Sequence, residues 1–460
     1  MKKTLGIYNS ALLACSALML AACQPASDKR TTATDGHVQK NLSSTRFLSD
    51  AGWCWFQDPR AVIHNEQLIV GGISGTNGDI RIGVYDLKEK RLLGQRVLDA
   101  GFERDDHNAP VFYLRPDGRL LAMWAEHGKE SRHYYRLSEV NDFLSWGERQ
   151  ILQHSYEKPA DRYWGGVTYM NLFTTNHGAK LYNFFRVGMD LNPYYVESSD
   201  HGDTWAPMQH FLKDDIEGTH RPYNRYLQID ASHIGVAFTD AHPRQYGNSI
   251  YYAEFDGEFF YGANSELVHD IKDGPLSTNQ ADKIYSGSET FAKPEGYSSV
   301  PNSAWTIDLE RDTNLHPHLA YSVYLNNDDN RFRRAYWDGQ AWQDREIAYA
   351  GPGLYELEAS YTGLMALDPS EPEKMTISTS VDPHTGIATS GKHELYYASV
   401  PNKDAPIEWQ ALTQNSRYSN IRPTIVEGDG YKVLLWMAGE FHHFEDYSTD
   451  IVGLILKEPK

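Results

Sequence analysis

Hydrophobic and polar positions alternate in short runs along most of this chain. From Cys54 onward, the runs are interrupted at close intervals by Gly, Asn-Asp and Asp-Gly turn signals. A period of two predicts β-strands, the interruptions predict hairpin turns, and long runs of helical period are absent. The predicted fold class is therefore all-β. The predicted turns are Asn77-Gly78-Asp79, Asp117-Gly118, His177-Gly178, Asp256-Gly257, Asp338-Gly339 and Asp429-Gly430.

The predicted strands group into seven similar units of about four strands each. Many units open with a run typical of an inner strand, as in residues 109–113 and 421–425. Four-stranded units repeated radially predict a seven-bladed β-propeller with four-stranded antiparallel blades, which we assign to residues 46–460. An irregular insert is expected from Asp270 to Val300. The units start near Trp53, His107, Gly165, Arg221, Pro301, Ser360 and Ser419.

One local motif supports this architecture. Residues 198–205 fit the Ser-x-Asp-x-Gly-x-Thr-Trp pattern of the Asp-box without mismatch. In such a turn, Asp200 accepts backbone hydrogen bonds, Gly202 supplies a positive φ and Trp205 packs between strands. The motif predicts propeller blades and carries no information on catalysis.

The N-terminus has the order of a lipoprotein signal. Lys2 and Lys3 precede an apolar run, which ends in Leu-Ala-Ala-Cys at Cys23. Residues 1–22 are predicted to be a cleaved signal peptide, Cys23 the lipidated new N-terminus, and residues 23–45 a flexible tether. The protein is then exported and anchored to the bacterial cell envelope, at the outer membrane or cell surface. The alternative is an ordinary secretory signal that leaves Cys23 unmodified.

Composition narrows the function classes. The formal charge is -19, and it becomes -21 once Lys2 and Lys3 leave with the signal, so bulk electrostatics exclude a nucleic-acid partner. An anionic substrate therefore needs a local basic pocket. If Cys15 is removed and Cys23 acylated, Cys54 is the only other cysteine, which excludes an intramolecular disulfide.

Two hairpins carry the strongest candidates for chemistry. His107 precedes an inner strand and His127 follows the next one, so the hairpin is expected to place them side by side. Tyr169 and Arg186 flank the corresponding hairpin one unit later. The alternatives are purely structural roles: the histidines cap turns, and Arg186 pairs with a neighbouring acid such as Asp190.

Weaker candidates follow from residue type alone. Asp240 and His242 offer metal-ligating atoms, although Asp-x-His is a common spacing. A metal there, Zn or Ca, is expected to be structural, and no cofactor is required for the chemistry. The candidate substrate-binding residues are Arg60, Asn108, Asn192, Tyr226 and Arg422. Arg60 and Arg422 fall at strand ends, where they either add positive charge to the channel or pair with acids between blades.

Several segments resemble one known group of proteins. The runs 53–62, 105–110, 167–169, 184–186 and 420–423 resemble BNR-repeat propellers that include the ulvan lyases of polysaccharide lyase families 24 and 25. The resemblance spans nearly the whole mature chain and implies a seven-bladed propeller. It also implies β-elimination at the uronate O4 of ulvan, an anionic sulfated algal polysaccharide of rhamnose 3-sulfate and uronic acid.

The resemblance also implies a catalytic set of His107, His127, Tyr169 and Arg186. In the expected mechanism, Arg186 holds the uronate carboxylate, neutral His107 takes the C5 proton and Tyr169 protonates O4, although His107 and Tyr169 can exchange roles. Two other functions stay open: a sialidase-like glycoside hydrolase and a non-catalytic carbohydrate-binding lipoprotein. The protein is expected to be a monomer.

Overall fold

The computed structural model describes residues 44–162, 164–214, 216, 222–389, 391–401 and 405–459. The predicted signal peptide and Cys23 lie outside the described residues, as does the predicted tether up to residue 43. Within the described residues the alternating runs form strands, and the helices are single 3-10 turns at Asp106–Asn108, Asn176–Gly178, Ile271–Asp273, Thr278–Gln280 and Glu356–Glu358. None of these helices has the length or apolarity needed to cross a bilayer.

The strands form seven antiparallel sheets that correspond to the seven predicted units. The chain enters through β1 (Thr45–Leu48). Blade one contains β2 (Ala61–His64), β3 (Gln67–Ile73), β4 (Ile80–Asp86) and β5 (Arg91–Asp99). Blade two contains β6 (Val111–Leu114), β7 (Leu120–Trp124), β8 (Arg132–Glu139), β9 (Asp142–Trp146) and β10 (Gln150–Gln153). Blade three contains β11 (Leu172–Thr175), β12 (Lys180–Val187), β13 (Asn192–Ser198) and β14 (Gln209–His210), and β15 (Leu212–Lys213) follows.

The remaining blades follow the same order. Blade four contains β16 (Asn224–Gln228), β17 (Ile234–Thr239), β18 (Ile250–Phe255), β19 (Phe259–Tyr261), β20 (Leu267–Asp270) and, after β21 (Leu276–Ser277), β22 (Asp282–Tyr285). Blade five contains β23 (Ser303–Arg311), β24 (Pro317–Asn326), β25 (Asp329–Trp337) and β26 (Trp342–Gly351). Blade six contains β27 (Met365–Leu367), β28 (Lys374–Thr379), β29 (Glu394–Ser399) and β30 (Gln410–Ala411). Blade seven contains β31 (Ser419–Gly428), β32 (Tyr431–His443) and β33 (Asp446–Lys457).

The fourth strand of blade seven comes from the other end of the chain. β1 pairs antiparallel with β33, with Thr45 opposite Gly453, and it buries Phe47 and Leu48. Thr45, which the sequence analysis places in the tether, is therefore the first residue of the propeller. The closure removes the free edge that β33 would otherwise expose.

The predicted insert is more regular than expected. β21 pairs in parallel with β15, and β22 pairs antiparallel with β18, so that part of the segment enlarges blade four. The sequence pattern missed this because the paired runs are only two to four residues long.

The Asp-box and the turns have their predicted geometry. Asp200 accepts hydrogen bonds from the Thr204 amide and hydroxyl at 2.8 and 2.6 Å, and the φ of Gly202 is 95°. Trp205 packs against the core of the neighbouring blades. The glycines of all six predicted turns also have positive φ, as the turns require: Gly78, Gly118, Gly178, Gly257, Gly339 and Gly430.

Candidate active site

One face of the propeller collects the ends of many strands. The chain enters each blade at the start of its first strand and returns to the same face at the end of its second, because the two strands are antiparallel. A cavity of about 260 Å³ opens there. The residues that line it are His107, His127, Trp164, Thr168, Arg186, Leu191, Tyr223, His242, Arg244, Tyr355, Glu358, Tyr361 and Phe444.

The structure brings His107 and His127 into direct contact. Their rings stack with centroids 3.8 Å apart. His107 lies in the 3-10 turn that precedes β6, and Asp105 caps this turn by accepting a hydrogen bond from the His107 amide. The same carboxylate contacts both imidazoles: Asp105 Oδ1 lies 2.6 Å from His107 Nδ1, and Oδ2 lies 2.8 Å from His127 Nδ1. A single buried carboxylate therefore orients both rings.

The two histidines differ in charge. Burial lowers the pKa of His107, but Cys54 and two carboxylates raise it by more, so that it lies well above the usual value of 6.5. Burial and the neighbouring His107 lower the pKa of His127 to about 4. Two stacked imidazoles are not both protonated, because their positive charges would repel each other. His107 is the ring that lies near a second carboxylate, at 3.2 Å from Asp106. Near neutral pH, His107 is the cation and His127 is neutral.

Arg186 is buried in the cavity wall, and none of the acidic residues that the structure describes pairs with it. Its side chain is 5% exposed, and its Nε and Nη1 have no hydrogen-bond partner among the described residues. Its guanidinium carbon lies 4.8 Å from the ring centroid of Tyr169 and 4.2 Å from that of Tyr223. Asp190, the acid considered from sequence, instead accepts a hydrogen bond from Asn192 at 2.7 Å. A buried guanidinium that lacks an acidic partner favours an anionic ligand.

Tyr169 lies beside this cavity rather than in its lining. Its ring centroid is 5.6 Å from that of His107, and its backbone has a positive φ of 69°. Burial raises the pKa of Tyr169 well above 10. The structure thus places Tyr169 with His107, His127 and Arg186, while Tyr223 is the tyrosine that lines the cavity next to Arg186.

Arg422 does not line the cavity. Its side chain is 1% exposed, and Nη1 lies 2.5 Å from Asp106 Oδ2. Arg422 therefore pairs with an acid between blades, and its proposed contact with substrate is not supported. Asp106 in turn contacts His107, so the Arg422–Asp106 ion pair lies next to the His107 imidazole.

Arg60 and Tyr226 lie in a different place. They line a second cavity of about 130 Å³ in the central channel, among residues of the first strands. Arg60 Nε donates to Asp58 Oδ1 at 3.0 Å, so it too is paired with an acid. The sequence placed Arg60 at a strand end and named Tyr226 only as a binding candidate, and it did not show how far along the channel either residue lies.

The two asparagines are also outside the lining. Asn108 is buried, and its Nδ2 donates to Glu103 at 3.0 Å. Asn192 is buried, and its Nδ2 donates to Asp190. Both amides hold local turns together, which accounts for their positions next to the predicted site.

Asp240 and His242 do not form a metal site with each other. Asp240 accepts hydrogen bonds from the Ser249 amide at 3.0 Å and the Tyr251 hydroxyl at 3.3 Å, and His242 Nδ1 accepts one from the Arg244 amide. Burial raises the pKa of Asp240 to about 7, which disfavours the ionised ligand. Neither belongs to a cluster of three donors among the described residues. These residues do not fit a metal, and a metal elsewhere stays a prediction.

Two other donor clusters have a different explanation. In one, Asp105 is hydrogen-bonded to His107 and His127, at distances too short for ligands arranged around an ion. In the other, which joins His107 to Cys54 and Asp106, the carboxylate is already paired with Arg422. Cys54 itself is a buried free thiol. We therefore derive no step through a metal.

Sequence reasoning missed several residues of the cavity. Arg244 lies after β17, and its Nη1 pairs with Glu358 Oε1 at 2.6 Å. Tyr223 precedes β16 and Tyr361 precedes β27, which are the positions that His107 and Tyr169 occupy in their own blades. Applying one positional rule to all seven units would have found them. The other missed lining residues are Trp164, Thr168, Leu191, Tyr355 and Phe444.

Comparisons with known proteins agree with this architecture. The model of the BNR repeat-containing family matches residues 73–350. A PL25 ulvan lyase solved in complex with -[GlcA(1-4)Rha3S]- has a TM-score of 0.61 and 14% identity, over 89% of this chain and 95% of that one. The polysaccharide lyase Uly1 has a TM-score of 0.51 and 12% identity, over 91% of this chain and 94% of that one.

At these identities the similarity to solved structures establishes the fold. No curated protein matches the sequence. The family model, in contrast, matches the sequence directly and covers more than half of the chain. This protein therefore belongs to the BNR repeat-containing family.

Proposed function

We propose that this protein is a polysaccharide lyase that cleaves ulvan by β-elimination at the uronate O4. The observation that carries the proposal is the buried guanidinium of Arg186, which has no acidic partner among the described residues and lies in the same cavity as a neutral His127. The fold shared with the PL25 ulvan lyase supports it.

The reaction requires charge stabilisation before proton transfer. Removal of the C5 proton, which is α to the uronate carboxylate, builds negative charge on the carboxylate oxygens. We assign Arg186 to hold those oxygens by charge-assisted hydrogen bonds, and the His107 imidazolium adds a second positive charge nearby. Breaking the C4–O4 bond then leaves a C4–C5 double bond, and O4 takes up a proton.

His127 is the better base of the two histidines. A base must be unprotonated, and the lowered pKa of about 4 keeps the His127 imidazole neutral at neutral pH. Its Nδ1 faces Asp105, which leaves Nε2 as the atom that accepts the C5 proton. This revises the role expected from sequence, in which His107 takes the proton.

A tyrosine is the proposed donor to O4. Tyr223 lines the cavity and contacts the Arg186 guanidinium, so we assign the donor role to Tyr223. The Tyr169 ring also contacts the Arg186 guanidinium, but Tyr169 does not line the cavity. Tyr223→Phe is then expected to lower kcat more than Tyr169→Phe, and the reverse order returns the donor role to Tyr169.

The cavity argues against the hydrolase alternatives. Glu358 is the only carboxylate among the described residues that line it, whereas most glycosidases need two. A sialidase needs three arginines. Within the described part of the chain only Arg186 and Arg244 line this cavity, and Arg244 is paired with Glu358. A non-catalytic binding protein differs from a lyase in that it forms no unsaturated product.

The direct experiment is incubation of the purified protein with ulvan. A lyase produces a double bond conjugated to the carboxylate, so ultraviolet absorbance should rise with time. Arg186→Ala should lower kcat by about 10²-fold or more, the scale of a lost oxyanion donor. Binding of ulvan without any rise in absorbance would indicate a carbohydrate-binding protein instead.

We also propose that the enzyme works at the cell envelope through a lipid on Cys23. The motif before Cys23 supports this location. The wild-type protein should fractionate with membranes, and Cys23→Ala should release it. A wild-type protein that is wholly soluble after signal cleavage would contradict the anchor.

A further inference from the structure

A further pocket, separate from the two cavities described above, lies between blades six and seven. It has a volume of about 330 Å³, which is in the range of sites that bind small molecules. We call it the blade 6–7 pocket. It is lined by Pro352, Gly353, Leu354, Ser380, Gly391, Lys392, His393, Ser419, Ile421, Gly439, Glu440, Phe441 and His442.

We propose that the blade 6–7 pocket is a further subsite for the same polysaccharide chain, one that binds a sugar ring carrying one anionic group. This inference rests on the proposed function and extends it along the substrate. It assigns a role to residues that the elimination step does not use.

The pocket opens on the same face as the candidate active site. Ser380 follows the second strand of blade six, β28, and Ser419 begins the first strand of blade seven, β31. These are the same strand ends that supply His127 and His107 in blade two. A polysaccharide that crosses this face can therefore contact both places.

The two sites are neighbours through aromatic residues. Tyr355 lines the candidate active site, Phe441 lines the blade 6–7 pocket, and their ring centroids are 6.2 Å apart. Leu354, the residue before Tyr355, also lines the blade 6–7 pocket. The boundary between the sites is thus formed by rings, which are common surfaces for contact with sugars.

One buried polar atom in this pocket, His393 Nε2, lacks a protein partner among the described residues. His393 is 7% exposed, and its Nε2 has no hydrogen-bond partner among the described residues. Burial lowers the pKa of His393 to about 4, so the ring is neutral and suited to a sugar hydroxyl. A buried polar atom without a partner is unusual in a folded protein and indicates a ligand or a water.

Lys392 supplies the charge. It is half-buried, lines the pocket and forms no ion pair among the described residues. Glu440 is the only acid among the described lining residues, and it is exposed. Leu354, Ile421 and Phe441 add an apolar surface. Together these groups fit one pyranose ring with a sulfate or carboxylate near Lys392.

The test compares long and short substrates. Lys392→Ala and His393→Ala should each raise KM for long ulvan chains, by about tenfold for the double variant, and should reduce the preference of the wild type for long chains over tetrasaccharides. Lys272→Ala removes an exposed lysine from the insert of blade four and is the matched control. Thermal unfolding checks that His393→Ala stays folded, and Lys392→Ala tests the same subsite without removing a buried side chain.

Calorimetry with ulvan oligosaccharides separates this inference from the lyase proposal. If the wild type produces no chromophore, the lyase proposal fails, but weaker binding to the Lys392 and His393 variants would still support the subsite. Equal affinities and equal chain-length preferences in the wild type and both variants would overturn it.

Discussion

At the scale of single residues, one carboxylate controls the proton balance of the candidate site. Asp105 contacts the Nδ1 atoms of His107 and His127, and the Arg422–Asp106 pair lies under the first of these rings. The arrangement puts a cation and a neutral base side by side. The pH dependence of the reaction should report both groups.

The pH profile has a predicted shape. Because the base must be neutral, kcat/KM should fall as the pH drops through the His127 pKa of about 4, well below the usual 6.5. Because the raised pKa of His107 keeps it charged at neutral pH, the rate should fall again only as alkaline pH removes that proton. The check is kcat/KM with ulvan across the pH range, on protein shown to be folded at each pH. An acid limb centred near 6.5 would contradict the assignment of His127 as base.

Asp105→Asn tests whether Asp105 acts by orienting the two imidazoles or also by its negative charge. The two histidines contact different oxygens of Asp105, and the amide replaces one of these oxygens with an NH₂ donor. One Nδ1–H group therefore loses its acceptor, and kcat should fall about 10–100-fold, as for other lost supporting contacts. Removing the carboxylate also removes an interaction that raises the pKa of both histidines, so the alkaline limb should move to lower pH. A lower kcat with an unchanged profile would mean that Asp105 acts only on structure.

Sequence reasoning was most useful where a hairpin fixes two residues together. The separations of His107 from His127 and of Tyr169 from Arg186 follow from paired strand ends. It was least useful for Arg60, Arg422 and Tyr226, because strand periodicity gives no depth along the channel and no information on which acid pairs with each arginine. The bridging position of Asp105 also depends on side-chain direction.

At the scale of elements, strand pairing and turn chemistry explain most of the fold. Alternation and turn residues predict the blades, since each hairpin is local in sequence. Pairings between distant segments were missed: β22 returns to β18, and β1 joins β33 across almost the whole chain. Short strands carry too little pattern to reveal such partners.

The Asp-box gives a prediction at this scale. Asp200→Ala removes the acceptor of the Thr204 amide and hydroxyl, and it should lower the free energy of unfolding by about 1–2 kcal/mol. Because the turn joins β13 to β14, away from the cavity, kcat should not change. Chemical denaturation measures the loss, and Ser199→Ala, at an exposed residue of the same turn, is the control. A loss of activity without a loss of stability would give the motif a different role.

At the scale of the whole molecule, β1 closes the ring. Deleting residues 44–50 should remove the buried side chains of Phe47 and Leu48 and expose the edge of β33, with a cost of about 3 kcal/mol or more. Denaturation and light scattering should show lower stability and more aggregation than for a chain that begins at residue 44. Equal stability of the chain that begins at residue 44 and the chain that lacks residues 44–50 would show that blade seven is stable without β1.

The central claim is that the bond is broken by elimination, and the most direct measurement counts two products of the same cleavage. Ulvan is digested with the purified protein, and the unsaturated uronyl groups detected by ultraviolet absorbance are compared with the new reducing ends. The account predicts equal numbers throughout the reaction, and a loss of both together in Arg186→Ala. Reducing ends that accumulate without absorbance would contradict the account and identify a hydrolase.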